Sequence, residues 1–260
     1  MNYLEGVWAY RYFWLSLVRS DLRTRYKRSF LGIGWSLLRP IALSIVICVV
    51  FSKLFNNNVR EYLPFLLIGF TLWGFISEAI ISGCNTFAAG EAYIRQHPVP
   101  LAIMPLRTIL GTGFHALASF AVAIGATWIL RGVADLTVLW TLLPTTMMVF
   151  FLGWSLAILA GLANVHFPDA RHLLEVFLQT VFYLTPIIYP PEALRASRRG
   201  AWLMDLNPLT YFLELFRRPI LDGTLPSLTS VAIAASCVLV VMVAAVLCLS
   251  WLERRLIFWL

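Results

Sequence analysis

The chain has 260 residues, 60% of them hydrophobic and 13% charged, with a mean hydropathy of +0.80 and a formal net charge of +7. A soluble domain is about half apolar and a quarter charged, so this chain has too little polar surface to cover a globule in water; lipid is the solvent that suits it. A soluble nucleic-acid binder is excluded too, because it would not carry charge-free runs long enough to cross a bilayer.

The first 30 residues hold six basic side chains: Arg11, Arg19, Arg23, Arg25, Lys27 and Arg28. On a helical wheel Trp14, Leu15, Val18, Leu22 and Tyr26 share one sector, and Arg19, Arg23 and Lys27 form the next. The spacing predicts an amphipathic helix within 1–30, lying in the cytoplasmic interface with its basic heads toward anionic lipid. Arg25 falls in the apolar sector, where the pattern frays. No cleavable signal peptide is expected, since Arg11 and Arg19 break the first apolar stretch and it lacks a small-residue cleavage site.

A crossing helix needs about 20 mostly apolar residues. Six candidates follow in order. They are about 32–55, 62–84, 108–130, 138–163, 172–190 and 228–252, with a tail at 253–260. Arg39 and Pro40 are expected to bend the start of the first. The fifth is short and ends at Pro190 and Pro191. Lys and Arg in the flanks set the orientation. The arm has six, whereas the loop after the first span has Arg60, with Lys53 at the helix end, and the loop after the third has Arg131. The arm is therefore read as cytoplasmic, and six crossings return the tail to the same side.

The stretch 192–226 runs against that rule, with Arg195, Arg198, Arg199, Arg217 and Arg218 on the outside. Glu192, Asp205, Glu214 and Asp222 offset much of this charge. The stretch is amphipathic and divided by Asn207-Pro208, which predicts two short helices dipping into the outer face. A seventh span is the rival, made expensive by Asp205, Glu214, Arg217 and Arg218. The fold class is thus all-α integral membrane, with an interface helix, six spans and two re-entrant outer-face helices.

Chemistry is sparse. A phosphate-binding P-loop needs a Lys preceded by Gly, yet the two lysines, Lys27 and Lys53, follow Tyr26 and Ser52. No H-E-x-x-H or Asp-x-Asp occurs. Cys48, Cys84, Cys237 and Cys248 lie in apolar runs without metal or redox spacing and read as small hydrophobes. His166, Asp169 and His172 are evenly spaced, but Pro168 interrupts them, so a solvated loop is favoured over a metal site. Glu78 and His115 are polar groups within spans. Each has a path or proton-relay reading and a plainer one, pairing with a neighbouring helix. No catalytic residue and no metal site are expected.

Three stretches carry a family resemblance: 19–40 (RSDLRTRYKRSFLGIGWSLLRP), 182–190 (FYLTPIIYP) and 206–223 (LNPLTYFLELFRRPILDG). Together they resemble the permease subunits of type-2 ABC exporters of polysaccharide, the group that moves lipid-linked O-antigen, capsule-like glycans and teichoic acid. The order and spacing agree over nearly the whole chain. The resemblance implies an ABC type-2 transmembrane domain over 31–252 in the bacterial inner membrane, both termini cytoplasmic. It implies a homodimer with a channel at its interface and two ATPase subunits on the cytoplasmic side. ATP and Mg would be held by those partners and no cofactor by this chain. The loop 86–105 would carry the coupling helix that meets the ATPase, with Glu91, Tyr93, Ile94, Arg95, Gln96 and His97 at that position. The loop 164–172 would make a smaller contact.

With 10 Trp, 9 Tyr and 18 Phe, the chain is rich in the faces on which sugars stack, though many of them suit interfacial belts as in any membrane protein. Phe182, Tyr183, Tyr189, Trp202, Tyr211 and Phe212 cluster at the expected outer mouth and are read as lining or gating an exit. The basic group Arg19, Arg23, Arg25, Lys27 and Arg28 has two readings: general attraction to anionic lipid, or contact with the pyrophosphate of a lipid carrier. Other function classes weighed are a type-2 permease for a drug or lipid, a membrane enzyme acting on polyprenyl-linked sugars, and a gradient-driven carrier.

Overall fold

The structure is a computed structural model that describes residues 3–27, 34–54, 58–96, 99–132, 135–192 and 197–256. All regular elements among them are helical. The arm forms α1 (Tyr3–Ala9) and α2 (Arg11–Tyr26), so the single helix expected there is two. Tyr10, at φ −85° and ψ 17°, separates them. The corner is held by Trp14, whose Nε1–H donates to the Val7 carbonyl at 3.2 Å.

The chain continues through α3 (Gly34–Phe51), which contains Pro40, to α4 (Val59–Cys84). The N-terminus of α4 is capped by Asn58, whose side chain accepts from the Arg60 N–H at 3.0 Å. A short α5 (Thr86–Gln96) and a long α6 (Ile103–Arg131) follow. Gly132, at φ 88°, turns the chain out of α6. A 3₁₀ turn over Leu136–Thr141 leads into α7 (Leu142–His166). The 3₁₀ turn is capped by Asp135, which accepts from the N–H and hydroxyl of Thr137; these bonds hold the Asp135 carboxyl below the usual carboxylate range. Then come α8 (Ala170–Leu184), α9 (Arg198–Leu206), α10 (Pro208–Arg217) and α11 (Leu228–Leu256). A wide turn over Arg218–Asp222 links α10 to Gly223 in the left-handed region at φ 62°.

Four helical stretches among the described residues are long and apolar enough to cross a membrane: α4, α6, the 3₁₀ turn with α7, and Leu228–Leu252 of α11. The first and fifth expected spans are shorter. The apolar part of α3, Leu37–Phe51, and all of α8 are each about 22 Å long, against about 30 Å of hydrocarbon. The end of α8 differs from the sequence expectation for a clear reason. Pro186 forces Thr185 to extended angles (φ −97°, ψ 135°), so the helix stops at Leu184, before Pro190 is reached. The split at Asn207-Pro208 is present as expected. Asn207 caps α10 by accepting from the Leu209 N–H at 3.0 Å, and Pro208 sits in the first turn.

At the centre lies α4, packed on α3, α6, α7, α8 and α10. Its crossing with α7 is built on small residues, which let backbones approach. A Cβ added at Gly83 would stand 2.6 Å from the Ala157 Cα, and one at Gly161 would stand 2.9 Å from the Gly83 carbonyl oxygen. The main core gathers along this axis, with Leu66, Ile68, Leu72, Ala79, Ile109 and Phe212 buried in it. A second core forms where α4 ends, uniting α1, α5, the start of α6, the end of α7 and α11 around Phe87, Ile103 and Met104.

Candidate functional site

Two features at different levels of the bundle carry functional character. The first is the junction where the arm, α5 and α6 meet. Arg107, near the start of α6, donates through Nε and Nη2 to both carboxylate oxygens of Asp21 in α2, each at 2.5 Å. Such a two-pronged bond fixes orientation as well as distance. The Arg107 guanidinium also stands 6.0 Å from the ring centre of Tyr93 in α5, and Phe13 of α2 meets the same ring edge-on at 5.7 Å. Tyr93 is therefore held between the arm and α6. Below it Ile94 and Phe87 are buried, and the Thr86 and Thr108 hydroxyls pair at 2.9 Å.

The residues expected to couple thus divide. Tyr93 and Ile94 face the bundle, whereas Arg95 and Gln96 are exposed; Glu91 pairs with Arg95 at 2.8 Å along the helix. Arg19, Arg23 and Lys27 are exposed on the arm. Arg28, His97 and the side chain of Arg25 lie outside the described residues. Sequence reading passed over Phe13, Asp21 and Arg107. One signal was present: Asp21 is the sole acid between Arg11 and Arg39, in a stretch otherwise basic.

The second feature is a cleft of about 820 Å³ over α4, bounded by α3 and α6 on one side and α8 on the other. Its polar lining includes Arg39, Ser77, Glu78, His115, Glu175 and Gln179. Trp35, Phe70, Trp73, Phe182 and Tyr183 supply aromatic surface. Phe182 packs against Trp73 at 5.5 Å and Phe70 at 6.0 Å between ring centres. The two in-span polar groups, Glu78 and His115, are brought to this one cleft. Glu78 accepts from the Ser82 hydroxyl at 2.8 Å.

Of the six aromatics expected at an exit, Phe182 and Tyr183 line this cleft. Tyr189 ties back to the Tyr183 carbonyl at 2.9 Å, Tyr211 donates to the Asp205 carbonyl at 3.1 Å, and Trp202 is exposed. Phe212 is fully buried in the core, because the apolar face of α10 turns inward with Leu213, Leu215 and Phe216. The same face carries Arg217, whose role sequence reading also missed. It is 7% exposed and donates to the carbonyls of Pro186 (2.7 Å), Ile187 (3.2 Å) and Phe65 (3.3 Å), with its guanidinium 3.4 Å over the Phe65 ring. The carbonyls freed where Pro186 breaks α8 thus find a donor.

His166 and His172 are occupied locally, by the Leu162 carbonyl and by Glu175 at 3.7 Å, and no metal-holding cluster occurs among the described residues. All four cysteines are free thiols, Cys48 and Cys84 buried.

Long apolar helices around a polar and aromatic cleft, with a structured arm at one end, define a polytopic membrane protein of the transporter class. Residues 12–221 match the ABC-2 type transporter family, and the chain belongs to that family. It is 24% identical over 211 residues to an O-antigen export system permease protein of Klebsiella pneumoniae, covering 80% of each chain. An O-antigen export system permease protein of Myxococcus xanthus is 23% identical over 227 residues, covering 86% of this chain and 85% of the other. A polysialic acid transport protein of Escherichia coli is 21% identical over 212 residues, covering 80% and 81%.

Proposed function

We propose that the chain is the permease subunit of an ATP-driven exporter that carries a lipid-linked polysaccharide across a bacterial inner membrane. The cleft carries the reading. Aromatic faces at Trp73, Phe182 and Tyr183 stand beside hydrogen-bonding groups at Ser77 and Gln179, the pairing that sugar rings use. The relatives named above support it, since they are O-antigen export permeases and a polysialic acid transport protein. The lack of a P-loop lysine motif supports ATP drive from a separate subunit.

In this reading two copies face each other across the cleft, six helices cross with both termini cytoplasmic, and α3 and α8 cross with help from their flanking residues. The helices α9 and α10 sit in the outer face without crossing. Two ATPase subunits dock at α5, with Glu91, Arg95, Gln96 and His97 toward them and Tyr93 and Ile94 toward the bundle. The basic arm residues Arg19, Arg23, Arg25, Lys27 and Arg28 meet lipid head groups. The test has two parts. An ATPase subunit should co-purify in equal amount with this chain. Trp73→Ala and Tyr183→Ala should lower glycan export while that complex still assembles. Full export by both variants rejects the cleft as the path.

A further inference from the structure

We infer that the cleft selects an uncharged polysaccharide and rejects a polyanionic one; the inference rests on the export reading above. The chain is strongly basic, with 20 Lys and Arg. Among the described residues Arg39 is the one base that lines the cleft, against two carboxylates, Glu78 and Glu175. Glu175 is paired with Arg171 at 3.1 Å and approached by His172 at 3.7 Å, and Glu78 accepts from Ser82. The wall therefore offers an incoming anion one guanidinium, that of Arg39, in a lining that also carries the carboxylates of Glu78 and Glu175.

A chain with a carboxylate on each sugar loses hydration as it enters the cleft, and an anion taken out of water without a matching cation is disfavoured. Like charges brought together across a contact add to that penalty. A chain of hydroxyls has no such difficulty here. Ser77 and Gln179 offer hydrogen bonds, and the wall holds a further polar atom without a partner among the described residues. The Thr71 Oγ1 is buried on a residue 4% exposed, lines the cleft, and has no hydrogen bond. A buried hydroxyl left unpaired is costly unless something supplies the bond. A sugar hydroxyl is the chemistry that does so, and a carboxylate accepts from it equally well; the charge balance at Arg39, Glu78 and Glu175 is what separates the two.

The experiment uses the chain with its ATPase subunit in proteoliposomes and reads substrate-stimulated ATP hydrolysis. The probes are undecaprenyl-pyrophosphate-linked oligomers of galactose and of sialic acid, matched in length and lipid. The galactose oligomer should stimulate about tenfold better. In Glu78→Gln and Glu175→Gln that ratio should narrow, with assembly unchanged. Equal stimulation, better stimulation by the sialic acid oligomer, or a ratio unmoved in both variants overturns the charge selection and leaves the export reading standing. Stimulation by neither oligomer overturns the export reading and this inference with it.

Discussion

The guanidinium of Arg217 lies where a side chain on residue 69 would begin: its Nη2 stands 2.9 Å from the Cβ position that Gly69 leaves empty. The Ile187 carbonyl and Cγ2 close the same space at 3.3 and 3.1 Å. Gly69 is what lets a buried arginine reach the carbonyls at the break after α8.

Gly69→Ala should therefore destabilise the protein by about 2 kcal/mol, since Arg217 is pinned by three carbonyls and cannot swing away. Gly74 is the control. Nothing lies within 4 Å of its Cβ position, so Gly74→Ala should raise stability by about 0.5–1 kcal/mol. Thermal unfolding of the detergent-purified chain separates the two. Equal midpoints would sink the account of Gly69.

Arg217→Met keeps the volume and removes the donors. It should cost about 3 kcal/mol by stranding the carbonyls of Pro186, Ile187 and Phe65. Arg217→Lys should recover part of this, because an ammonium can still serve some of the carbonyls. The order wild type, Lys, Met in unfolding midpoint is the expected result; Met matching wild type contradicts it.

At the α4–α7 crossing, Gly83→Ala should be among the most damaging single-methyl additions in the chain, about 3 kcal/mol. The obstacle is the Ala157 Cα at 2.6 Å, which is backbone and has no rotamer to change. For that reason Ala157→Gly should fail to rescue it. Monodispersity on size exclusion after detergent extraction is a suitable readout, and recovery in the double variant would refute the geometry.

The Asp21–Arg107 pair is partly open to solvent, with side chains 42% and 18% exposed, so breaking it with Asp21→Ala should cost only about 1 kcal/mol of stability. Its larger effect should be on export per ATP hydrolysed, because the pair ties the arm to α6 beside Tyr93. The exchange Asp21→Arg with Arg107→Asp should restore export toward wild type. A double variant no better than either single one argues against the tie.

Much of the helix plan was written in the sequence. The charge-free runs under α6, α7 and α11 are long enough that their type is unmistakable, and Asn207-Pro208 announces its own break. The end of α8 is harder to read, because Pro190-Pro191 is the stronger stop signal in the sequence while Pro186 acts first. The corner at Tyr10 carries no Gly or Pro and is held by tertiary contacts. Site residues were harder for a general reason. The arm's apolar sector and the aromatics near 182 show in local pattern, but Asp21 and Arg107 are 86 positions apart, and no period links them. Arg217 misled in the opposite way. A charge in an apolar stretch was counted as a cost of burial, while the structure meets that cost with three carbonyls and an aromatic face.

The glycine–alanine seam between α4 and α7 has a mechanical meaning. Two rods touching main chain to main chain have no soft layer between them, so they move as a single strut. Whatever widening a passing cargo demands must be taken up on the flanks, where α3 and α8 hold α4 through side chains that can change rotamer. A disulfide stapling α4 to α7 should leave turnover intact, whereas one stapling α4 to α8 should arrest it.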